Sequence, residues 1–140
     1  MIKEFTDYIG DNTDFTRDTD LFAVRADSDA PDTCIVVGEP APGLVDGLLS
    51  DKRQIPLVVY SRAKTPFTAR DNAYTVFTLL TGGASDIMHG NTQVSLTAIG
   101  SGPVYVCNFE CRTPYYNGLD ESGRRHVFAV PIDVTVTNML

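Results

Sequence analysis

The stretch PYYNGLDESGRRHVF, Pro114 to Phe128, gathers two tyrosines, two acids, two arginines and a histidine around two glycines. Side chains of these types can do acid–base work, with Asp120, Glu121 and His126 around a cleft, or cradle a metal or phosphate. They can equally decorate a polar hairpin that does no chemistry. Nucleophilic catalysis needs a nucleophile beside a base held by a third group, and the histidines available are His89 and His126. His126 opens the terminal strand pattern in phase with its apolar face, the setting of a strand-end histidine touching core. His89 sits between Met88 and Gly90 in a loop and reads as a surface residue.

The other cradles fail on spacing. GLVDGLL lacks the closing Lys-Ser/Thr of a phosphate loop, and TGGAS ends a helical pattern instead of opening one. DNTDFTRDTD, residues 11 to 20, lacks the glycine and terminal glutamate of a calcium loop and reads as a solvated connection. The cysteines are Cys34, Cys107 and Cys111. If the last two share a strand, four residues at about 3.3 Å each separate them by about 13 Å, too far for a disulfide or a shared zinc. Buried free thiols are the expectation. No catalytic residue, cofactor site or metal site emerges, so the chain is expected not to be an enzyme.

The elements that must position these residues follow from periodicity. Ile2, Phe5, Tyr8 and Ile9 place one apolar stripe on a short helix that Gly10 would close. Leu21 to Arg25 and Thr33 to Gly38 read as strands around the turn-rich ADSDAPD. Glu39 to Arg53 is a long Gly/Pro-bearing loop with the aliphatics Leu44, Val45, Leu48 and Leu49. Gln54 to Arg62 is apolar on both faces after Pro56, as in an interior strand covered on both sides.

A helix follows, with Thr65 as its N-cap, Pro66 in its first position, and an apolar stripe of Ala69, Ala73, Val76, Phe77 and Leu80. Gly82 and Gly83 end it. TQVSLTAIG and PVYVCNFECR read as strands, and NGLDESGRR as the hairpin loop joining the second of them to a last strand. In that strand Phe128, Val130, Ile132, Val134 and Val136 alternate with Ala129, Pro131, Asp133, Thr135 and Thr137, giving one buried and one wet face. Pro131 cannot donate to a ladder, which predicts an edge strand or a bend. The order of elements predicts one α+β domain over residues 1–140, a mostly antiparallel or mixed sheet with two helices packed on it.

A chain of 140 residues can bury a core without staples, and its 43% hydrophobic share is ordinary for a globular protein. No apolar run approaches the roughly 20 residues that cross a bilayer, and the N-terminus does not resemble a secretory signal, so the chain is expected to be cytosolic when made. The net charge of -7 is concentrated early, in Asp7, Asp11, Asp14, Asp18, Asp20, Asp27, Asp29 and Asp32. Such a surface repels phosphate, and DNA would pass it without being held.

In this order the motifs resemble the tail terminator family of long non-contractile-tailed phages, also described as tail completion or minor capsid proteins. The residues concerned are TDLFAVRADSDAPDTCIVVGEPAPG, then IPLVVYSRAKTPFTARDNAYTVFTLL, then PYYNGLDESGRRHVF with its alternating strand. The likeness spans nearly the whole chain, and SGPVYVCNFECR is extra strand length beside the family pattern. It implies a structural virion protein of the tail or neck, assembled in the host cytoplasm as a homo-oligomeric ring, typically a hexamer. That ring caps the tail tube, ends its polymerisation and offers a surface to the head-completion protein, while DNA passes through the lumen unbound.

Leu44, Val45, Leu48, Leu49, Tyr115, Tyr116, Asp120, Glu121, Arg124 and Arg125 are the candidate contacts with a neighbouring subunit, the tube protein or the neck. A head-side connector or stopper is the near alternative. A small hydrolase or ligand-binding domain using the 114–128 loop is the alternative of another class.

Overall fold

The computed structural model describes residues 2–38, 44–45, 52–81, 90–97 and 104–139. Leu48, Leu49, Gly82, Gly83 and His89 lie outside them, as do the side chains of Leu44 and Val45. Two helices pack on one mixed sheet, the expected α+β arrangement. The elements are α1 (Ile2–Asn12), β1 (Leu21–Ala23), β2 (Cys34–Gly38), β3 (Leu44–Val45), β4 (Lys52–Ala63), α2 (Pro66–Thr81), β5 (Gly90–Thr97), β6 (Val104–Cys111), β7 (Tyr115–Leu119) and β8 (His126–Met139). The strands run β1-β2-β4-β8-β6-β5, with β3 added to β4 and β7 to β8. The β1–β2 pair is parallel, and the other pairs are antiparallel.

The stripe read from the first residues does form α1: Phe5 and Ile9 are fully buried, with Ile2 and Tyr8 packed at the margin. Gly10 does not close it. The helix continues to Asn12, and its last carbonyls are taken up by side chains, Asn12 Nδ2 donating to Tyr8 O at 2.8 Å and Thr13 Oγ1 to Ile9 O at 2.7 Å. Gly10 instead lets the helix approach β1, since a Cβ there would lie 3.3 Å from Leu21 Cδ2. In α2 the Thr65 cap is formed, Thr68 N donating to Thr65 Oγ1 at 3.4 Å, and all five expected stripe residues are buried.

Strand β4 has its helix-facing residues Leu57, Val59, Ser61 and Ala63 buried, and Ser61 Oγ donates to Ala69 O of α2 at 2.8 Å. Its other face is only partly covered: Val58 is buried, but Pro56, Tyr60 and Arg62 are half-buried. Both helices lie on one side, which explains why the expected two-sided cover is incomplete. The core joins Phe5, Ile9, Leu21, Val59, Phe77, Leu80, Phe109 and Val130, and Phe5 meets Phe109 edge-on at 5.2 Å.

Strand β8 corrects the expectation drawn from Pro131. It is interior, flanked by β4 along its length and by β6 and β7 on the other side. Pro131 falls between the residues paired with β6, which begin at Ile132, and those paired with β7, which end at Ala129. Its carbonyl accepts from Arg112 N at 3.0 Å, so its nitrogen faces the β6–β7 changeover, where the regular ladder is interrupted. Pro56 of β4 obeys the same rule: β2 ends opposite Val58 and β3 begins opposite Gln54.

The long 39–53 connection is likewise shorter than read, because β3 forms within it and β4 starts at Lys52. β7 was not expected at all. The hairpin runs from β7 into β8, not from β6 into β8, and β6 and β7 lie in line along the same side of β8.

Candidate functional site

The β7–β8 hairpin carries Tyr115, Tyr116, Asp120, Glu121, Arg124, Arg125 and His126. Asn117-Gly118, read as the turn, lies inside β7. Gly118 has φ +91°, and pairing slips between Tyr116 and Leu119, so the glycine makes a bulge with the positive φ that only glycine adopts freely. The turn itself follows, with Asp120 N donating to Arg125 O and Gly123 N to Asp120 O, each at 2.9 Å, and Gly123 at φ +70°.

Asp120 organises this turn. Its carboxylate accepts from Ser122 Oγ at 2.6 Å and from Arg125 N at 3.4 Å, and it pairs with Arg125 Nε at 2.6 Å. Burial opposes its ionised form, but the Ser122 hydrogen bond and the Arg125 charge and hydrogen bonds outweigh that and hold the carboxyl below its ordinary value. Arg125 also reaches Asp32 at 3.5 Å, and Lys64 pairs with the same carboxylate at 3.2 Å. The hairpin is thereby tied to the loop before β2 and to the end of β4.

Asp120 and Arg125 are thus turned inward, only 14% and 22% exposed, whereas Glu121 and Arg124 face solvent. His126 is half-buried at the start of β8, opposite the buried Ala63 of β4. Its Nδ1 shares a 2.9 Å hydrogen bond with Tyr116 Oη, and the Tyr116 ring meets His126 at a tilt and Phe128 edge-on, 5.9 and 5.5 Å away. The three groups of the hydrolase alternative therefore part company: Asp120 serves the turn, His126 serves Tyr116 and Glu121 points outward. No group of three metal-ligating side chains occurs among the described residues.

Away from the hairpin, Cys107 and Cys111 do share β6. Burial pushes the Cys111 thiol up to about 12, and it raises Cys34 too, against the lowering charges of Arg62 and Arg125. Both are buried and free, as expected of structural cysteines.

The hairpin also exposes apolar side chains. Tyr115, Tyr116 and Leu119 stand 49%, 49% and 52% exposed on β7. Tyr115 and Tyr116 were candidates from the sequence. Leu119 was missed, because NGLDE reads as a loop until β7 gives it a strand register. Among the described residues no strand covers the outer side of β7. Tyr115 lies opposite Ala129 and Tyr116 opposite Phe128, and odd-numbered residues of β8 face β7 here, so Tyr116 turns its N–H and C=O outward. Past the bulge Leu119, opposite His126, does the same.

The far end of the same band of strands is built differently. In β1, Leu21 N donates to Thr16 O at 3.1 Å and Leu21 O accepts from Asp18 N at 2.9 Å, so the chain's own turn covers that edge. Ala23 O accepts from Arg25 N at 2.9 Å, a γ-turn that forces Val24 to φ +73°, a strained setting for a β-branched residue, with its side chain 69% exposed.

Comparison with the profiles of known protein families and with curated proteins finds no match.

Proposed function

We propose that this chain is a structural virion protein, the tail terminator of a long non-contractile-tailed phage. Its copies form a ring, a hexamer, that caps the tail tube, ends tube polymerisation and receives the head-completion protein. The observation that carries the reading is the state of the β7–β8 hairpin. Its reactive groups are spent on one another, Asp120 on Arg125 and His126 on Tyr116, while Tyr115, Tyr116 and Leu119 face outward. That is the pattern of a contact surface, in which apolar side chains await cover and charges shape the presenting turn. The ordered sequence motifs support it, and the charge of -7 suits a lumen through which DNA slides without sticking.

Electron microscopy of the purified protein, alone and with tail tubes, tests this. Rings seated on tube ends are expected, and adding the protein to polymerising tube subunits should fix or cap tube length. A protein that stays monomeric at high concentration beside tube protein would sink the reading. Binding to head particles and not to tubes would replace it with the head-side connector.

A further inference from the structure

An asparagine followed by glycine is the residue pair best able to react with itself. The backbone nitrogen of the second residue reaches the side-chain carbonyl of the first, and glycine, with no Cβ, leaves that nitrogen open to do so. A fold suppresses the reaction by holding the intervening peptide in a helix or ladder, because ring closure requires that peptide to turn toward the side chain.

The chain's six asparagines differ in this respect. Asn12 has its amide engaged on Tyr8 O at 2.8 Å and is followed by Thr13. Asn72 lies within α2 and is followed by Ala73. Asn91, Asn108 and Asn138 stand in unbroken ladder rows, opposite Glu110, Thr135 and Tyr105, and are followed by Thr92, Phe109 and Met139. Asn117 is exposed, and among the described residues nothing hydrogen-bonds its side chain. Pairing with β8 lapses at Asn117 and Gly118, between the rows Tyr116–Phe128 and Leu119–His126. Gly118 has φ +91°, and a Cβ there would meet no described atom within 4 Å. The bulge therefore leaves this one peptide free of cross-strand restraint and next to open space.

We propose that Asn117 and Gly118 form a self-modification site. Gly118 N gives its proton to solvent base and adds to Asn117 Cγ. The bond from Cγ to the side-chain nitrogen breaks, ammonia leaves, and a five-membered imide remains. Water then opens the ring in one of two ways. Attack at Cγ breaks the new bond and yields aspartate. Attack at the main-chain carbonyl breaks the original peptide link and yields isoaspartate, with the chain running through the former side chain. Water is the sole co-reactant. The bulge can hold the extra backbone carbon of isoaspartate because it already carries residues outside the ladder.

Either product adds a negative charge to the chain's -7, between Tyr116 and Leu119 in the strand. A contact that buries those two residues would have to desolvate the new carboxylate, so conversion weakens what β7 offers a partner. The site itself holds whatever β7 contacts.

The full chain, kept folded at mildly alkaline pH and then digested for mass spectrometry, tests this. The Asn117 peptide should convert to two acid products, aspartate and isoaspartate, within about tenfold of its rate in the urea-unfolded chain. Peptides carrying the other five asparagines should keep their amides. The rate should rise with pH, since Gly118 N must lose its proton. Asn117→Gln, whose ring closure is slower, should lose the conversion while keeping the melting temperature of the wild type. An Asn117 that keeps its amide in the folded chain but converts when unfolded overturns the inference, because the bulge then clamps the peptide. Equal conversion at the other asparagines overturns it, as does aspartate without isoaspartate, the mark of direct hydrolysis in place of attack by Gly118.

Discussion

The band β1–β2–β4–β8–β7 ends at two edges on the same transverse rows, Phe22–Val36–Tyr60–Ala129–Tyr115 being one of them. At β1 the chain doubles back so that Thr16, Asp18 and Arg25 consume the outward backbone groups of Leu21 and the carbonyl of Ala23. At β7 no strand among the described residues covers the outward side of Tyr116 and Leu119, and the side chains there are apolar. An uncovered edge is an aggregation risk that natural sheets manage by capping, charge or bulges. One edge is closed even at the expense of strain in Val24, while the other carries only a bulge at Gly118. The difference suits the contact surface proposed for β7.

Four measurements would break or sharpen that contrast. The largest effect is expected at the closed edge, where Leu21 is fully buried: Leu21→Ala should cost about 2–5 kcal/mol. Leu119→Ala, at 52% exposure on the open edge, should cost less than about 1 kcal/mol in the monomer. Denaturant melts at low protein concentration check both, and equal losses would erase the distinction.

Next comes Asp120→Ala, which removes the carboxylate that holds Ser122 and Arg125 and should cost about 1–3 kcal/mol by the same melts. Val24→Gly should stabilise by roughly 0.5–1 kcal/mol, since the exposed side chain packs little and glycine accepts the positive φ, although it gains freedom when unfolded. A destabilised glycine variant would show that the γ-turn is not strained.

The smallest effect is a pH dependence. Because the folded Asp120 carboxyl is lowered, its contribution is complete above the ordinary carboxylate value of about 4 and is lost as pH falls through the folded value. Melting temperatures of wild type and Asp120→Asn should therefore converge on acidification. Constant separation from pH 7 to pH 2 would remove Asp120 from that role.

Much of the scaffold was legible because periodicity reports burial. The stripe Ala69–Ala73–Val76–Phe77–Leu80 and the alternation from Val130 to Val134 reappear as buried faces, whereas Phe128 is half-buried and Ala129, read on the wet face, is fully buried between Tyr60 and Tyr115. What failed needed knowledge of neighbours. Gly10 reads as a helix stop, but the close approach of Leu21 explains it, and Pro131 reads as an edge signal until the β6–β7 changeover beside it is known. Asn117-Gly118 has the composition of a hairpin turn and the place of a bulge, and that shift of a few residues hid β7 and with it Leu119. Asp120, Glu121, Arg124 and Arg125 stood out together as charged residues. Only the fold separates the inward pair from the outward one, because Asp32, Arg125's second partner, lies far away in sequence.

Pro56 and Pro131 face changeovers on opposite sides of the central β4–β8 pair. A proline in a ladder is tolerated only where no acceptor waits for its nitrogen, so each acts as an alignment key. If β8 slid two residues relative to β6 and β7, its faces would keep their polarity, and hydrophobic patterning alone would not object. Pro131 would then stand opposite backbone that needs a donor, and a ladder bond would be lost. The same holds for Pro56 against β2 and β3. The two imino acids thus guard against the even-numbered slips that alternation cannot detect, fixing the height at which β7 and its exposed aromatics are presented.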